Sequence, residues 1–396
     1  MKKKRILFYN GQLFMMGIER VLISYLQGLA KEEDLEITVL IKENDPEKNI
    51  FFKDIPKNLP VIFIKTEEMV RFRNKIKNNK KNIFCRLLYP LLLSYERIYM
   101  KKWLKKFMEE NKDKFDVVID FDMSLGRYLE IFNIPIIGWI HNTLTNKLGK
   151  KKKEFIKRLD YYSKIVVICD EMKEEMKKYF NNTYKKTYRL YNPFDINKIK
   201  NNIEFKIDVN TEEIIKDGYM VVVSRLVKEK GLKDLIDIYY NLKNRGIKDK
   251  LYIIGDGPQK VELEEKIKEL KLEKDVLLLG QKKNPFSWMK NAKLFLHASY
   301  GEGLPTVFLE SMICGTVVIA YDCPTGPKDI LGKNEYGVLV KTGDKKSFEE
   351  EIEKLIDEEE RKKKYIDKFM NEKVKEFDVK YIVEQFKKLI NFGDKE

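Results

Sequence analysis

The segment Gly301–Glu310, GEGLPTVFLE, contains two carboxylates beside a glycine-flanked turn. Pro305 suits the first turn of a helix, and Gly303 lets another group approach the backbone closely. The free N–H groups of such a first turn form an anion site. A phosphate could lie there while Glu302 and Glu310 meet the hydroxyls of a sugar and of a ribose. The alternative is a surface loop followed by an ordinary helical glutamate.

Two cations lie in the segment SRLVKEKG, residues 224–231, directly after the apolar run Tyr219–Val223. If that run is a buried strand, Arg225 leaves its carboxyl end and Lys230 begins the next helix. Arginine as a planar fork and lysine as a point charge both suit a diphosphate. The alternative is a basic turn that is exposed to solvent.

Two glycine turns could also bring a ligand near the backbone. Gly255 lies in IIGDGP, where a strand-like run is followed by a turn and by a helix start at Pro258. Gly17 lies in MGIER, just before a predicted helix, where backbone N–H groups could face a phosphate or a sugar. Many α/β proteins have such turns, so neither turn assigns a function by itself.

The sequence has only two histidines. His141 follows the apolar run Ile136–Ile140, so we expect it at the ligand-facing edge of the first lobe. His297 ends another such run, and we expect it to be packed in the interior. The segment Asp120–Asp122 could bind a cation, but we interpret it as a strand end with a solvated or acceptor-side aspartate. No cluster of histidines or carboxylates has the spacing of a metal site, so no metal and no other cofactor is expected.

Short apolar runs alternate with amphipathic helical patterns along the chain. This alternation predicts an α/β fold with parallel sheets that are covered on both faces. The predicted strands are Arg5–Tyr9, Glu36–Ile41, Val61–Ile64, Asp116–Asp120, Ile136–Ile140, Lys164–Ile168, Tyr219–Ser224, Leu251–Ile254, Val276–Leu279, Leu294–His297 and Val317–Ala320. The predicted helices include Ile18–Ala30, Leu232–Lys243, Gln259–Leu270, Pro305–Cys314 and Asp378–Ile390.

A chain of 396 residues suits two lobes. The break should fall within residues 192–218, because Asn192-Pro193 is a turn signal and little apolar periodicity follows before Tyr219. We therefore predict two doubly wound, Rossmann-like lobes, of residues 1–195 and 196–377. In such folds ligands bind at the carboxyl ends of the strands, which predicts a cleft between the lobes.

The formal net charge is +15, and two basic runs, Lys65–Lys106 and Lys147–Arg158, lie in the first half. Such runs attract polyanions, either nucleic acid or the anionic face of a membrane. Aromatic and aliphatic residues between the cations favour a membrane surface, and no nucleic-acid partner is expected. The alternative is a set of lysine side chains that are simply solvated.

The four cysteines show no C-x-x-C spacing, which is typical of reduced thiols in a cytosol. The apolar run after the basic start is too short for a signal peptide. The longest apolar stretch, Leu87–Leu93, contains Pro90 and is too short to span a bilayer. We expect a cytoplasmic protein that is peripheral on the inner face of the cell membrane.

Together these motifs resemble those of the retaining glycosyltransferases of family 4. The resemblance is carried by Glu302-x7-Glu310, Arg225-x4-Lys230, Gly255–Pro258 and Met16–Val21. It covers nearly the whole chain, with the motifs in the expected order. It implies the two-lobed GT-B fold, with the acceptor on the lobe of residues 1–195 and the nucleotide-sugar on the lobe of residues 196–377. The final helix, within residues 378–396, would cross back onto the first lobe.

The resemblance also implies roles for single residues. The catalytic residues would be Glu302, His141, Arg225 and Lys230. The donor-binding residues would be Gly17, Arg225, Lys230, Gly255, Gln281, Gly303, Leu304, Pro305, Thr306 and Glu310. Arg225 and Lys230 would neutralise the diphosphate, Glu310 would hold the ribose, and the base would lie near Gln281. His141 would point at the transferred sugar.

Two sequence details bear on this resemblance. The family often has two glycines where this chain has Met16-Gly17, so the loop before the first helix is bulkier than usual. The segment Cys323–Pro327, CPTGP, is similar to a variant in members that use galactose-type or N-acetylgalactosamine-type donors.

The predicted function is that of a retaining, metal-independent glycosyltransferase. It would move a hexose or N-acetylhexosamine from a nucleotide diphosphate sugar, of UDP type, to a glycan or lipid-linked acceptor in cell-envelope polysaccharide synthesis. The alternatives are a GT-B nucleotide-sugar epimerase, a sugar phosphorylase or a non-enzymatic polyanion-binding protein. The last of these would leave Arg225 and Glu302 without a role.

Overall fold

The computed structural model describes residues 3–14, 17–144, 152–203 and 218–391. Contacts divide the chain into two compact units. Unit 1 comprises Met1–Ile168, Lys173–Pro193 and Val379–Glu396, and unit 2 comprises Cys169–Met172 and Phe194–Asp378. Met16, the first part of the basic run 147–158 and most of the segment 192–218 lie outside the described residues.

Unit 1, as far as it is described, contains a seven-stranded parallel sheet in the order β3-β2-β1-β4-β5-β6-β7. The strands are β1 Lys4–Asn10, β2 Leu35–Glu43, β3 Val61–Lys65, β4 Val117–Asp120, β5 Ile136–Ile140, β6 Lys164–Val167 and β7 Thr187–Arg189. The sheet centre is buried on both faces, because successive residues of β1 from Ile6 to Asn10 are all buried. Helices must therefore cover both sides.

The helices of the first half are α1 Gly17–Leu29, α2 Glu67–Asn78, α3 Ile83–Glu110, α4 Lys152–Leu159, α5 Asp170–Tyr179, α6 Asn181–Tyr184 and α7 Ile196–Ile203. Short 3₁₀ turns lie at Ile50–Asp54 and Gly126–Ile131. Helix α3 contains Pro90 and continues past it.

The last helix of the chain, α15, Val379–Ile390, packs on unit 1. Its buried residues recur at helical spacing and form one apolar face. The Phe386 ring stacks on Phe8 of β1 at 5.7 Å between centroids. A side chain at Gly28 of α1 would lie 2.8 Å from Val379 and 2.9 Å from Val383. Because glycine has no side chain, α1 and α15 can approach each other closely. The predicted return of the final helix to the first lobe is confirmed.

Unit 2, within its described residues, has a six-stranded parallel sheet in the order β10-β9-β8-β11-β12-β13. The strands are β8 Tyr219–Val223, β9 Lys250–Ile254, β10 Val276–Gly280, β11 Leu294–His297, β12 Val318–Asp322 and β13 Val338–Lys341. The helices are α8 Leu232–Asn244, α9 Lys260–Glu269, α10 Phe286–Lys290, α11 Thr306–Ile313, α12 Pro327–Leu331, α13 Lys345–Leu355 and α14 Glu359–Lys368. Short turns of helix at Lys228–Lys230, Phe369–Lys373 and Val374–Phe377 complete the unit.

The predicted α/β fold with two doubly wound parallel sheets is confirmed. Every predicted strand is present, with ends that differ by at most two residues. Two further strands, β7 and β13, were not predicted. Both lie at a sheet edge and are only partly buried: Thr187 is the one buried residue of β7, and Val338 and Val340 are the buried residues of β13.

A buried cluster of four charges fixes α3 to the sheet of unit 1. Lys65 at the end of β3 places its Nζ 2.7 Å from Glu96 Oε2 on α3 and 3.3 Å from Glu43 Oε1 on β2. Arg73 of α2 forms two hydrogen bonds to Glu43, of 2.5 and 2.8 Å. Burial by itself raises the pKa of Glu43, but the Arg73 hydrogen bonds and the charges of Lys65 and Arg73 hold that pKa at about 2.

We expect Glu96→Ala to lower the free energy of unfolding of unit 1 by about 3 kcal/mol, because Lys65 would remain buried with only Glu43 as a partner. Urea unfolding followed by tryptophan fluorescence measures this in a Trp288→Phe background, since Trp103 and Trp139 lie in unit 1 and Trp288 lies in unit 2. The control is Glu130→Ala, which removes an exposed pair with Lys101 and should cost about 0–1 kcal/mol. Equal losses in the two variants would show that the buried cluster does not anchor α3.

Candidate functional site

The strand order of unit 2 reverses between β8 and β11, which are neighbours in the sheet. Loops that follow these two strands leave the same edge and turn in opposite directions. Such a switch point is where open α/β sheets bind ligands. Arg225 follows β8, and His297 is the last residue of β11. The candidate residues of this unit are therefore gathered at one edge by topology alone.

Glycines in the turn after β9 allow it to pack on the segment that carries Arg225. Gly255 has φ +147°, and a side chain there would lie 1.8 Å from the carbonyl oxygen of Ser224. The Leu226 N–H donates to the Asp256 carbonyl at 2.9 Å, which closes the contact. The structure thus gives Gly255 a role in shaping the backbone around Arg225. Its contact with a donor stays a prediction.

Arg225 itself is exposed. Within the described part of the chain, no carboxylate forms an ion pair with its guanidinium. A cation without a protein partner at a switch point is available to an anionic ligand.

Lys230 ends a short 3₁₀ turn that is held against β11. Gly231, the next residue, has φ +60°, and a side chain there would lie 1.9 Å from the Ala298 carbonyl oxygen. The Glu229 carbonyl accepts hydrogen bonds from the Tyr300 N–H at 2.8 Å and from the Ser299 hydroxyl at 3.0 Å. The loops after β8 and β11 are therefore joined by backbone contacts beside Lys230.

Glu302 lies between two donors that share one of its oxygens. Its Oε1 forms an ion pair with Lys230 Nζ and lies 2.8 Å from His297 Nε2. The three side chains are largely buried, with exposed fractions of 17% for Lys230, 11% for Glu302 and 2% for His297. Burial raises the pKa of Glu302, but the interaction with His297 and the charge and hydrogen bond of Lys230 hold that pKa at about 2. The carboxylate is therefore ionised at neutral pH.

The loop of Glu302 is fixed by the segment Cys323–Pro327. The Glu302 N–H donates to the Pro324 carbonyl at 2.9 Å, and the Thr325 N–H donates back to the Glu302 carbonyl at 3.1 Å. A side chain at Gly326 would lie 2.3 Å from the Gly303 carbonyl oxygen. The segment Cys323–Pro327, whose sequence is similar to a variant found in some members of family 4, thus fixes the backbone conformation of the loop that carries Glu302.

The remaining predicted donor-binding residues of unit 2 lie on nearby elements. Leu304 and Pro305 are buried, and Gly303 and Thr306 are half-buried, at the start of α11. In the first turn of this helix the Phe308 N–H donates to the Pro305 carbonyl at 2.9 Å, whereas the Thr306 and Val307 N–H groups have no helical carbonyl partner. Glu310 is half-buried in the second turn, and Gln281 is exposed directly after β10. Their contacts with a nucleotide stay predictions.

His141 and Gly17 belong to unit 1. His141 follows β5 and is buried, with Nε2 2.7 Å from the Phe121 carbonyl oxygen and the two rings 4.6 Å apart. Gly17 begins α1 and is exposed, with open space where a side chain would project. Both residues lie on segments that follow the carboxyl ends of strands in the one sheet of unit 1, His141 after β5 and Gly17 after β1. Their roles toward a sugar stay predictions.

Two residues differ from the sequence-based interpretation. His297 is buried, as predicted, but it also holds Glu302, and its position only five residues before that glutamate was the available signal. Asp120 was interpreted as part of a strand end with a solvated or acceptor-side aspartate, but it is fully buried and accepts a 2.6 Å hydrogen bond from Tyr162. Burial and the nearby charge of Asp122 raise the pKa of Asp120 to about 8.

A search of the described residues finds no group of three or more His, Cys, Asp or Glu side chains arranged to hold a metal ion. The four cysteines are free thiols.

Residues 203–370 match the family model of the glycosyl transferases group 1. An uncharacterized glycosyltransferase of Methanocaldococcus jannaschii is 28% identical over 83% of this chain and 88% of its own length. A second relative is 26% identical over 98% of both chains. It is a Campylobacter jejuni α-1,4-N-acetyl-D-galactosaminyltransferase that acts on GalNAc-alpha-(1->4)-GalNAc-alpha-(1->3)-diNAcBac-PP-undecaprenol.

Among solved structures, Anabaena HepE in complex with UDP and glucose superposes with a TM-score of 0.74. It covers 97% of this chain and 98% of its own, with 18% sequence identity, so the likeness shows a common fold. Residues 203–370 therefore carry a glycosyltransferase group 1 domain, and the protein is a glycosyltransferase with the GT-B fold.

Proposed function

We propose that this protein is a retaining glycosyltransferase of family 4. It moves a hexose or N-acetylhexosamine from a UDP-sugar to a glycan or lipid-linked acceptor in cell-envelope polysaccharide synthesis. The observation that carries the proposal is the meeting of Arg225, Lys230 and the first turn of α11 at one sheet edge. Two cations and a set of free N–H groups at a switch point match the charge of a nucleoside diphosphate.

The proposed chemistry develops negative charge on the leaving diphosphate. Arg225 is exposed toward solvent, and Lys230 lies beside Glu302, so both can stabilise that charge as the glycosidic bond to phosphate breaks. The acceptor oxygen forms the new bond to the anomeric carbon on the same face. Its proton passes to the departing phosphate oxygen, which balances the reaction without a covalent enzyme intermediate. Ionised Glu302 stabilises the positive charge that builds on the sugar.

The donor and acceptor are proposed from the relatives. HepE was crystallised with UDP and glucose, and the Campylobacter enzyme acts on an undecaprenol-linked diphosphate glycan. Similarity over 98% of both chains supports an acceptor of the same general class for this protein. The Cys323–Pro327 segment, which holds the Glu302 loop, supports a galactose-type or N-acetylgalactosamine-type donor.

We expect Arg225→Ala to weaken UDP binding about 10- to 100-fold, because it removes charge-assisted hydrogen bonds to the diphosphate. Calorimetric titration with UDP measures the loss. The melting temperature should rise with one or more of UDP-glucose, UDP-galactose, UDP-N-acetylglucosamine and UDP-N-acetylgalactosamine, and less so in the variant.

The matched control for Arg225→Ala is Lys268→Ala. Lys268 is an exposed cation in the last turn of α9, which starts at the carboxyl edge and ends about 15 Å from it. This control should keep the UDP affinity of the wild type. A UDP affinity that is unchanged in Arg225→Ala would refute the diphosphate site.

We also propose that transfer needs no metal ion, because protein cations and helix N–H groups are placed to meet the phosphate charge. The transfer rate should therefore stay the same when EDTA is present in excess. Radiolabelled sugar transfer measures this. A rate that disappears in EDTA and returns with Mg²⁺ or Mn²⁺ would contradict the proposal.

No helix in the described part of the chain is long and apolar enough to cross a membrane. The first half of α3 nevertheless exposes a row of large apolar side chains. Phe84, Leu87, Leu91, Tyr95 and Ile98 are 58–78% exposed. They follow each other in steps of three and four residues, so they share one face of the helix. The buried residues Met100, Leu104, Phe107 and Met108 belong to the second half, which packs on the unit.

The same stripe becomes cationic toward the end of α3. Steps of four and three residues lead from Ile98 to Lys102 and Lys105, both exposed. Arg86 and Arg97 are exposed beside the apolar row. An apolar row that continues as a basic row on one helix suits insertion into the headgroup region of an anionic membrane. We therefore propose that the protein is cytoplasmic and peripheral, and that α3 docks on the inner face of the cell membrane.

Co-sedimentation with phosphatidylglycerol-rich vesicles tests docking. We expect binding that salt weakens, with little binding to phosphatidylcholine vesicles. The double variant Lys102→Glu, Lys105→Glu should bind at least about 30-fold more weakly, since each lost cation contributes about 1 kcal/mol at an anionic surface and the new carboxylates are repelled by it. Leu87→Ser with Leu91→Ser should also weaken binding.

The matched control for this charge reversal is Lys363→Glu with Lys364→Glu. Both lysines are exposed on α14 of unit 2, and the change in net charge is the same. This control should bind as the wild type does. If the protein does not bind anionic vesicles at low salt, the membrane proposal fails while the transferase proposal stands.

A further inference from the structure

We propose that His297 is a positioning residue for Glu302: its Nε2–H holds one carboxylate oxygen, so that the other is presented to the bound sugar. This inference rests on the proposed function of the same site. From its sequence position alone, His297 is expected only to be packed in the interior.

The His297 ring has little room to move. It is the last residue of β11 and is 2% exposed. The Phe308 ring of α11 lies edge-on to it, with centroids 5.0 Å apart and planes at 84°. Phe295, two residues earlier on the same strand, stacks at 6.5 Å. A histidine fixed in this way offers its Nε2–H in one direction only, toward Glu302.

Both described donors to Glu302 use the same oxygen. Lys230 Nζ and His297 Nε2 both contact Oε1. No residue in the described ranges donates a hydrogen bond to Oε2. A carboxylate oxygen can accept more than one hydrogen bond, so Oε2 is left to meet a hydroxyl or the developing charge of the transferred sugar.

Lys230 and His297 differ in side-chain mobility, and this difference gives them separate roles. Lys230 has a long flexible side chain that is 17% exposed, and the proposed chemistry calls on its charge for the diphosphate. When its ammonium turns toward phosphate, Glu302 keeps the bond from His297, which cannot leave. His297 therefore preserves the orientation of Glu302 in the donor complex.

This arrangement predicts a pH effect. The titratable groups that the structure places around Glu302 are Lys230 on the turn before α8, His297 on β11 and the Cys323 thiol after β12. The pKa of Glu302 is depressed to about 2, so activity that needs the ionised form is present above that pKa and is lost as pH falls through it. Without the His297 donor the pKa of Glu302 rises, and activity is then lost at a higher pH.

The kinetic test compares His297→Phe with His297→Gln. Phenylalanine keeps an aromatic ring against Phe308 but removes the donor, whereas the glutamine amide can replace Nε2–H. We expect kcat to fall about 10- to 100-fold in His297→Phe, with the acid limb of the pH profile moved upward. The affinity for UDP, which lacks the sugar, should hardly change. His297→Gln should restore most of kcat and the wild-type acid limb, a rescue that a purely structural role does not predict.

A second measurement does not depend on activity. The chain has two histidines, so ¹⁵N-imidazole labelling of the full protein gives two ring systems, one of which disappears in His297→Gln. Glu302→Gln should shift the ring signals of His297 and leave those of His141, which binds the Phe121 carbonyl in unit 1.

The outcomes separate the inference from the proposed function. The positioning role would be overturned if kcat fell equally in the two His297 variants, or if the acid limb of His297→Phe matched that of the wild type. It would also be overturned if Glu302→Gln left the ring signals of His297 unchanged. If the wild type transfers no sugar from any nucleotide donor, the proposed function fails, and the labelling experiment still decides whether His297 holds Glu302.

Discussion

The ionised carboxylate of Glu302, kept in a largely buried position by two donors on one oxygen, is the interaction on which the site of unit 2 depends. Lys230 comes from the loop after β8 and His297 from the end of β11. A buried carboxylate is costly unless charges and hydrogen bonds compensate it. The two loops must therefore stay in contact for the fold to keep this charge, and that requirement brings the cations to the switch point.

Glycines make those loop contacts possible. A side chain at Gly231, Gly255 or Gly326 would collide with a neighbouring carbonyl oxygen at 1.8–2.3 Å. In each case the neighbour belongs to another loop at the same carboxyl edge. The four loops after β8, β9, β11 and β12 can thus share a small space, because a glycine without a side chain lies at each of these three points of closest approach. Each of these glycines also has a positive φ angle, which residues with a side chain adopt only at a cost in free energy.

Much of the fold could be predicted from the sequence, because the apolar runs of parallel strands are long and buried on both faces. The edge strands β7 and β13 were not predicted, and each is only partly buried, unlike the central strands that are buried on both faces. In the site, Arg225 and Glu302 were recognisable from their spacing to glycine turns and helix starts. The hydrogen bond from His297 to Glu302 was not recognisable, because a histidine at the end of a strand is expected to be buried whether or not it has a hydrogen-bond partner. The pairing of Lys65 with Glu96 joins residues 31 positions apart and leaves no pattern in the sequence.

The packing of α15 on unit 1 has a consequence for synthesis on the ribosome. Phe386 completes an aromatic cluster with Phe8, Tyr25 and Trp139, residues that emerge early in translation. All of unit 2 beyond Phe194 is made before Val379 appears. At typical elongation rates the face that α15 covers waits roughly 10–40 s for its partner. During that interval the nascent first unit exposes the apolar surface that α15 later covers, which makes this stage of synthesis prone to aggregation.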